Sequence, residues 1–345
     1  MKRLSEILDK VRGGGRMDRA DSKFLLEIDE RSYASGLVRA AASSVVRSAT
    51  DNAAIILGQI GVEVSPCPAD CKFCTFGEGH TRFERSKITD EALSQKIHDF
   101  CKDGDLYGLY LMTMHTYDVD FYLNTVRKAR RLAPPATQIW ANIGDTDADV
   151  LKEIKKNGVT GIYHVLRLRE GADTRLKPEN RLKTMRNAID AGLELYTCIE
   201  PIGPEHTNDE IVENLFATLD LGIVQHAAMR RVAVPGSPLF QYGQISELRL
   251  AHIVAVVALA TARLPKMAYI GTHEPNELSY LAGANIATAE SGANPRDVAL
   301  DTAKGRGRDV ADCRKMFFEC GFTNLRRGDE SNIPLDFGYL VKTRA

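Results

Sequence analysis

The sequence predicts an α/β protein folded as a parallel (β/α) TIM-type barrel, full or nearly full, with N-terminal helices and a C-terminal extension. Three observations predict it. Apolar runs of strand length alternate with helical segments from Ala53 to Thr288, the pattern of a parallel sheet with a helix in each crossover. The alternation supplies about eight strands, which favours a closed barrel over an open sheet. A length of 345 residues suits one large barrel, and no Pro/Gly/Ser-rich linker divides the chain.

The elements follow in order. Residues 1–50 read as a helical segment, with helical spacing in LSEILDKV and SKFLLEI and a break at Gly13-Gly14-Gly15. AAIILGQIGVEVS is strand-like and runs into a cysteine loop. The predicted strands then are YGLYLMTMH, TQIWANIG, GIYHVLRL, LELYTCIEPIG, QHAAMRRVAV, MAYIG and GANIAT, each preceded by a helical segment. Asp90 and Asn208 lie near helix starts, and Gly158, Gly192 and Gly222 follow helix ends. LAHIVAVVALATA is apolar over much of its surface, which implies packing against the barrel. Residues 288–310 read as a loop with one short helix, and VADCRKMFFECGF as an amphipathic helix. The division is therefore a helical segment over 1–50, a barrel over 51–325 and a tail over 326–345.

Composition excludes several classes. There are 45 basic and 46 acidic residues, a formal net charge of −1, so no basic excess points to nucleic acid or a membrane surface. The N-terminus has no apolar signal region, and no run reaches transmembrane length. The expected location is cytoplasmic, where seven cysteines without a disulfide framework stay reduced.

Cys67-Pro-Ala-Asp-Cys71-Lys-Phe-Cys74 is the most informative stretch. Three thiolates on one short loop can hold three irons of a four-iron, four-sulfur (4Fe-4S) cluster and leave the fourth iron open to chelate a small molecule. A zinc knuckle needs a fourth ligand, for which His80 lies six residues after Cys74. A ferredoxin-type run has different spacing, and three structural thiols in eight residues is not a core pattern.

The CxxxCxxC spacing with Phe73 before the last cysteine resembles the signature of the radical S-adenosylmethionine (radical SAM) superfamily. CPADCKFC, HVLRLREGADTRLKPENRLKTMRNAIDAGLEL, RRVAVPGSPL and LAGAN resemble the group that holds biotin synthase, methylornithine synthase and a hydrogenase maturase, over roughly residues 50–325. The resemblance implies a 4Fe-4S cluster on Cys67, Cys71 and Cys74 and S-adenosyl-L-methionine (SAM) on its open iron. Hydrogen abstraction from a small substrate and a reducing donor such as flavodoxin or ferredoxin follow from it. It also implies that the Phe73 backbone lies against adenine. The auxiliary-cluster ligands of biotin synthase are not matched: Leu111 or Met112, Trp140, and Thr272 or His273 stand near those places, with Cys198 alone falling close to a cysteine. Rearrangement or fragmentation of a carbon skeleton is therefore expected ahead of sulfur insertion. A non-catalytic iron–sulfur or zinc scaffold is the alternative of another class.

In a barrel, chemistry sits at the C-terminal strand ends. That rule selects His115, Asn142, His164, Arg167, Glu200, His206, Arg231 and His273. Arg167, Glu200, His164 and His273 are the catalytic candidates; Phe73, Phe76, Asn142, Arg167 and Glu200 are the cofactor-binding candidates. Arg167 between Leu166 and Leu168 needs an anionic partner, either a bound carboxylate or Glu200. Phe76 packs over the cluster or in the core. Cys313 and Cys320 are seven apart on one helix face, which packing explains, with a second cluster shared with the tail as the alternative.

Overall fold

The computed structural model describes residues 1–267, 269–273, 276–291 and 308–343. Three helices come first: α1 (Lys2–Arg12), α2 (Arg19–Leu26) and α3 (Tyr33–Ala49). The side chains of Asp18 and Ser32 accept a first-turn N–H and start the second and third. Strand β1 (Ala53–Gly61) is followed by a small antiparallel pair, β2 (Glu63–Val64) and β3 (Ser86–Lys87), which brackets the cysteine loop. Then come α4 (Asp90–Cys101), β4 (Gly108–Met112), α5 (Val119–Leu132), β5 (Gln138–Asn142), α6 (Ala148–Lys156), β6 (Gly161–Tyr163) and α7 (Pro178–Asp190). The barrel continues with β7 (Glu194–Ile202), α8 (Asn208–Phe216), β8 (Gln225–Arg230), α9 (Glu247–Thr261), β9 (Tyr269–His273), α10 (Glu277–Tyr280) and β10 (Ile286–Ser291). Helix α11 (Val310–Glu319), strands β11 (Asn324–Arg326) and β12 (Asn332–Pro334), and α12 (Phe337–Lys342) complete the chain.

Strands β1, β4, β5, β6, β7, β8, β9 and β10 form a closed parallel barrel, with β10 pairing back onto β1 from Ile55–Ile286 to Ile60–Ser291. Alternation along each strand sorts the side chains. Ala54, Ile56 and Ile60 of β1 join the outer core beneath the helices, whereas Ile55 and Leu57 join the interior. Five tyrosines, Tyr107, Tyr110, Tyr163, Tyr196 and Tyr269, and Trp140 fill that interior. Helix α9 is apolar on every face because it is covered twice, by the barrel within and by α2 and α3 outside. The N-terminal helices are thus the outer cover of the barrel's most apolar stave.

Several boundaries move. The helix caps are Thr89 and Thr207, one residue before Asp90 and Asn208. Gly158, Gly192 and Gly222 are left-handed, as expected after helix ends. The run GIYHVLRL is regular strand only over Gly161–Tyr163. Beyond it the chain touches β7 intermittently, through His164 N–H to Tyr196 O and Leu168 N–H to Glu200 O, so Arg167 stands in a loop and not in a buried strand. Of the expected 288–310 loop, β10 takes residues up to 291 and α11 begins at Val310; residues 292–307 lie outside the described residues. The tail forms a hairpin that pairs β11 to the start of β1. Its turn residue Glu330 accepts hydrogen bonds from Tyr107 and Tyr269 (3.0 and 3.2 Å), placing a carboxylate at the N-terminal end of the barrel. Among the described residues, no helix is long and apolar enough to cross a membrane.

Candidate active site

The cysteine loop is a tight, self-bonded structure. The N–H of Cys67 bonds Phe76 O at 2.7 Å, Cys74 N–H bonds Cys71 O, and Glu78 N–H bonds Cys67 O. The His80 ring lies 2.6 Å from Cys74 O through Nε2 and 3.7 Å from Asp70 Oδ1 through Nδ1. His80 is therefore engaged in shaping the loop, against its use as a fourth metal ligand. Gly77 makes room for that ring, since a Cβ there would lie 2.4 Å from His80 Cε1. Two straps tie the loop to the segment after β6: Arg175 pairs with Asp70 (2.8 Å), and Lys72 N–H bonds Asp173 O (3.0 Å).

All three thiols are free and line one cavity of about 130 Å³ at the C-terminal mouth of the barrel. Burial pushes the Cys71 thiol up to about 12 and raises Cys74 as well, which opposes ionisation unless a bound metal favours the thiolate. The Phe76 N–H donates to Cys74 Sγ at 3.4 Å. Among the described residues, no three His, Cys, Asp or Glu side chains gather around a single ion. A cubane has no such requirement, because each cysteine takes its own iron. The donor set fits that group: three unbridged thiols in a buried pocket beside a guanidinium.

The polar floor of the cavity comes from residues of five barrel strands. Gln59 of β1, Asn142 of β5, Glu200 of β7, His273 of β9, and Thr288 and Glu290 of β10 all line it. Asn142 Nδ2 donates to Gln59 at 3.2 Å. His273 Nδ1 is 3.6 Å from Glu290. A second pocket adjoins the first, sharing Cys71, Cys74, Arg167, Glu200 and Met229 and adding Phe73 and Arg231.

A chain of hydrogen bonds and ion pairs circles the end of β6. Tyr163 Oη donates to Glu200 (2.7 Å), and Glu200 Oε1 is 3.3 Å from Arg167 Nε. Arg167 Nη1 is 3.8 Å from Glu170, which is 3.7 Å from Arg181 Nε. Arg181 donates to Asp145 at 2.8 Å, and Asp145 is 3.0 Å from His164 Nε2. Tyr163 and His164 are neighbours in sequence, so the circuit closes on β6. Burial disfavours the Arg167 charge, but Glu170, Cys71 and Glu200 outweigh it and raise its pKa. Burial also opposes the Asp145 carboxylate, yet His164 and Arg181 hold it below the usual range. Burial pushes His164 down to about 3, so its ring is neutral. Gly144 lets Asp145 reach this circuit: a Cβ there would lie 1.9 Å from His115 O.

The sequence-selected residues divide as follows. His115, Asn142, His164, Arg167, Glu200 and His273 line the main cavity with the cysteines. Phe73 and Arg231 line the adjoining pocket. Phe76 lines the cavity yet is 1% exposed, its ring centre 4.7 Å from that of Phe83 and tilted 50° to it, in one apolar cluster with the cysteines. His206 lies outside both pockets, its Nδ1 accepting Gly203 N–H. Of the paired options on β4 and β9, Met112 and His273 line the cavity, whereas Leu111 joins the outer core. Trp140 and Cys198 sit in the barrel interior. Cys313 of α11 and Cys320 at its C-terminal cap are free and buried. Sequence reasoning missed Gln59, Asp145, Tyr163, Glu170, Arg181, Thr288 and Glu290. Polar residues at alternate places in apolar strands marked Gln59, Thr288 and Glu290; no local pattern marked Glu170 or Arg181.

Comparison with solved structures gives the fold a precedent. Methylornithine synthase (PylB) superposes with a TM-score of 0.77 over 92% of this chain and 96% of its own, at 17% identity. The chain has the same fold. The FeFe-hydrogenase maturase HydG from Carboxydothermus hydrogenoformans follows at 0.73, covering 93% of this chain and 79% of its own at 16% identity. A second HydG structure gives 0.74 at 15% identity. No family model and no curated protein matches the sequence.

Proposed function

We propose that this chain is a radical SAM enzyme that acts on a small polar molecule in the biosynthesis of a cofactor, vitamin or unusual amino acid. The observation that carries the reading is the placement of three free cysteines in CxxxCxxC spacing on a cavity that also holds Arg167 and Glu200. Cys67, Cys71 and Cys74 would hold the 4Fe-4S cluster, which supplies the electron that cleaves SAM to a 5′-deoxyadenosyl radical. The remaining work belongs to this chain. Arg167 presents a guanidinium to a carboxylate beside the cysteines, and Glu200, held by Tyr163, orients a hydroxyl or amine. His164 and His273 are the further catalytic candidates on the cavity, and Asn142 and Phe73 the further cofactor-binding ones, Phe73 bordering the adjoining pocket. The barrel wall keeps water from a reactive intermediate.

Rearrangement or fragmentation is favoured over sulfur insertion. Met112 and Trp140 offer no thiolate, and Cys198 packs among the interior aromatics. A reducing protein such as flavodoxin or ferredoxin would supply electrons in the cytoplasm, and neither nucleic acid nor membrane is required. Anaerobic protein given SAM and dithionite should release 5′-deoxyadenosine and methionine. Iron-loaded protein that cleaves no SAM would favour a non-catalytic iron–sulfur scaffold instead.

A further inference from the structure

The backbone sets Arg167 and Glu200 side by side: Leu168 N–H bonds Glu200 O at 2.8 Å. An arginine and a glutamate placed this way can close on each other with two parallel hydrogen bonds, the strongest arrangement open to such a pair. These two do not. Glu200 Oε1 approaches Arg167 Nε at 3.3 Å without hydrogen-bond geometry. The other oxygen, Oε2, is turned to Tyr163, whose hydroxyl donates to it at 2.7 Å. The outer nitrogens of Arg167 keep their capacity. Among the described residues Nη1 and Nη2 have no hydrogen-bond partner, and Glu170 comes no nearer than 3.8 Å. Unlike Nε, neither is closed to solvent, and the side chain is 22% exposed where it borders both pockets.

Tyr163 is firmly placed for this contact. It is the last residue of β6, and its ring packs edge-on against Tyr196 (5.0 Å) and Tyr110 (6.3 Å) of the aromatic interior. The sulfur of Met229, 3.6 Å from the hydroxyl, is a weaker acceptor than the carboxylate. Burial and the Glu200 charge raise the phenol's pKa well above its ordinary value, so the hydroxyl keeps its proton and remains a donor. We infer that Tyr163 is a positioning residue: by holding Oε2 of Glu200 it stops that carboxylate from closing on Arg167, and so leaves the guanidinium free for a carboxylate of the bound ligand. This deepens the reading of the cavity as the reaction chamber and rests on it. Without the hydroxyl, Oε2 loses its one hydrogen-bond donor among the described residues, and the guanidinium beside it is the group that replaces it.

The test titrates acetate, the simplest carboxylate, into the anaerobically purified full-length protein and follows the nitrogen-15 NMR signals of the Arg167 guanidinium, assigned by their loss in Arg167→Lys. The unaltered protein should show a saturable shift. Tyr163→Phe keeps the ring and removes the donor, and it should weaken acetate binding about ten-fold, the scale of one charge-assisted hydrogen bond. Adding Glu200→Gln to that variant should restore binding, because a neutral amide does not compete for the guanidinium. A merely structural Tyr163 would not be rescued this way. If Tyr163→Phe does not fold, Glu200→Gln alone serves, and it should bind acetate at least as tightly as the unaltered protein. No acetate response in the unaltered protein, unchanged affinity in Tyr163→Phe, a loss that Glu200→Gln does not restore, or weaker binding in Glu200→Gln alone would each overturn the inference. The readout needs no SAM cleavage. The expected acetate pattern in protein that releases no 5′-deoxyadenosine would strike the radical SAM reading alone, and 5′-deoxyadenosine release without that pattern would strike this inference alone.

Discussion

The Arg167 guanidinium and the Glu200 carboxylate face each other at 3.3 Å where the loop after β6 meets β7, and they border both pockets around the cysteines. The contact is close enough for an ion pair, yet Arg167 Nε lacks hydrogen-bond geometry toward any partner. A guanidinium held near two carboxylates but not saturated by them keeps capacity for an incoming anion.

Arg167→Lys keeps the charge and loses the planar fork. SAM binding or cleavage should fall about ten-fold or more, the scale of a charge-assisted bond of about 1–3 kcal/mol. Melting temperature and SAM cleavage per folded molecule are measured on one anaerobic preparation. A lower melting temperature with unchanged cleavage would make the pair structural.

Substitution of any one of Cys67, Cys71 or Cys74 by Ala should abolish SAM cleavage while circular dichroism stays that of the folded barrel. In a cubane held by three cysteines each thiol takes a separate iron, so none would replace another. Full cleavage by reconstituted Cys71→Ala would remove the cluster from this loop.

Iron analysis after anaerobic reconstitution should approach about four per chain, the content of one cubane. Cys198 lies among Tyr110, Tyr196 and Met229 in the barrel interior, with no second thiol in that cluster of side chains. A reproducible excess that disappears in Cys198→Ala or Cys313→Ala would restore sulfur insertion.

The Glu170 side chain is 1% exposed and stands between Arg167 and Arg181 while accepting the Thr174 hydroxyl. Glu170→Gln removes the charge that separates two buried guanidinium groups. A loss of about 3–5 kcal/mol in urea unfolding is expected, the usual cost of stripping one partner from a buried ion pair. A loss under about 1 kcal/mol, a surface-pair value, would show that the circuit around β6 is not coupled.

Burial pushes the pKa of His164 to about 3 and of His226 and His252 to about 4. Their folded pKa values lie below the unfolded value of about 6.5, so the unfolded chain binds more protons between those limits. Stability should therefore be full above about pH 6.5 and fall as pH drops toward 4, with a slope of up to about 1.4 kcal/mol per pH unit for each histidine. Urea titrations at pH 7, 6 and 5 check this, and a flat profile would mean that these rings ionise freely in the fold.

The sequence by itself determined the barrel and the cysteine loop. Both are written in local signals: strand and helix periods repeat along the chain, and the three thiols sit within eight residues. It also marked Arg167 and Glu200, because strand ends are countable once the barrel is assumed. Tertiary structure alone decided how these residues are held. Glu170 and Arg181 meet only when α7 folds back against the barrel, and Asp145 reaches His164 only because Gly144 passes close to His115. The tail had no readable pattern because its partners are distant: Glu330 finds Tyr107 and Tyr269 across 223 and 61 residues. Local periodicity reports which face of an element is buried. Which charges meet inside depends on long-range packing, where the cost of an unpaired buried group selects the arrangement.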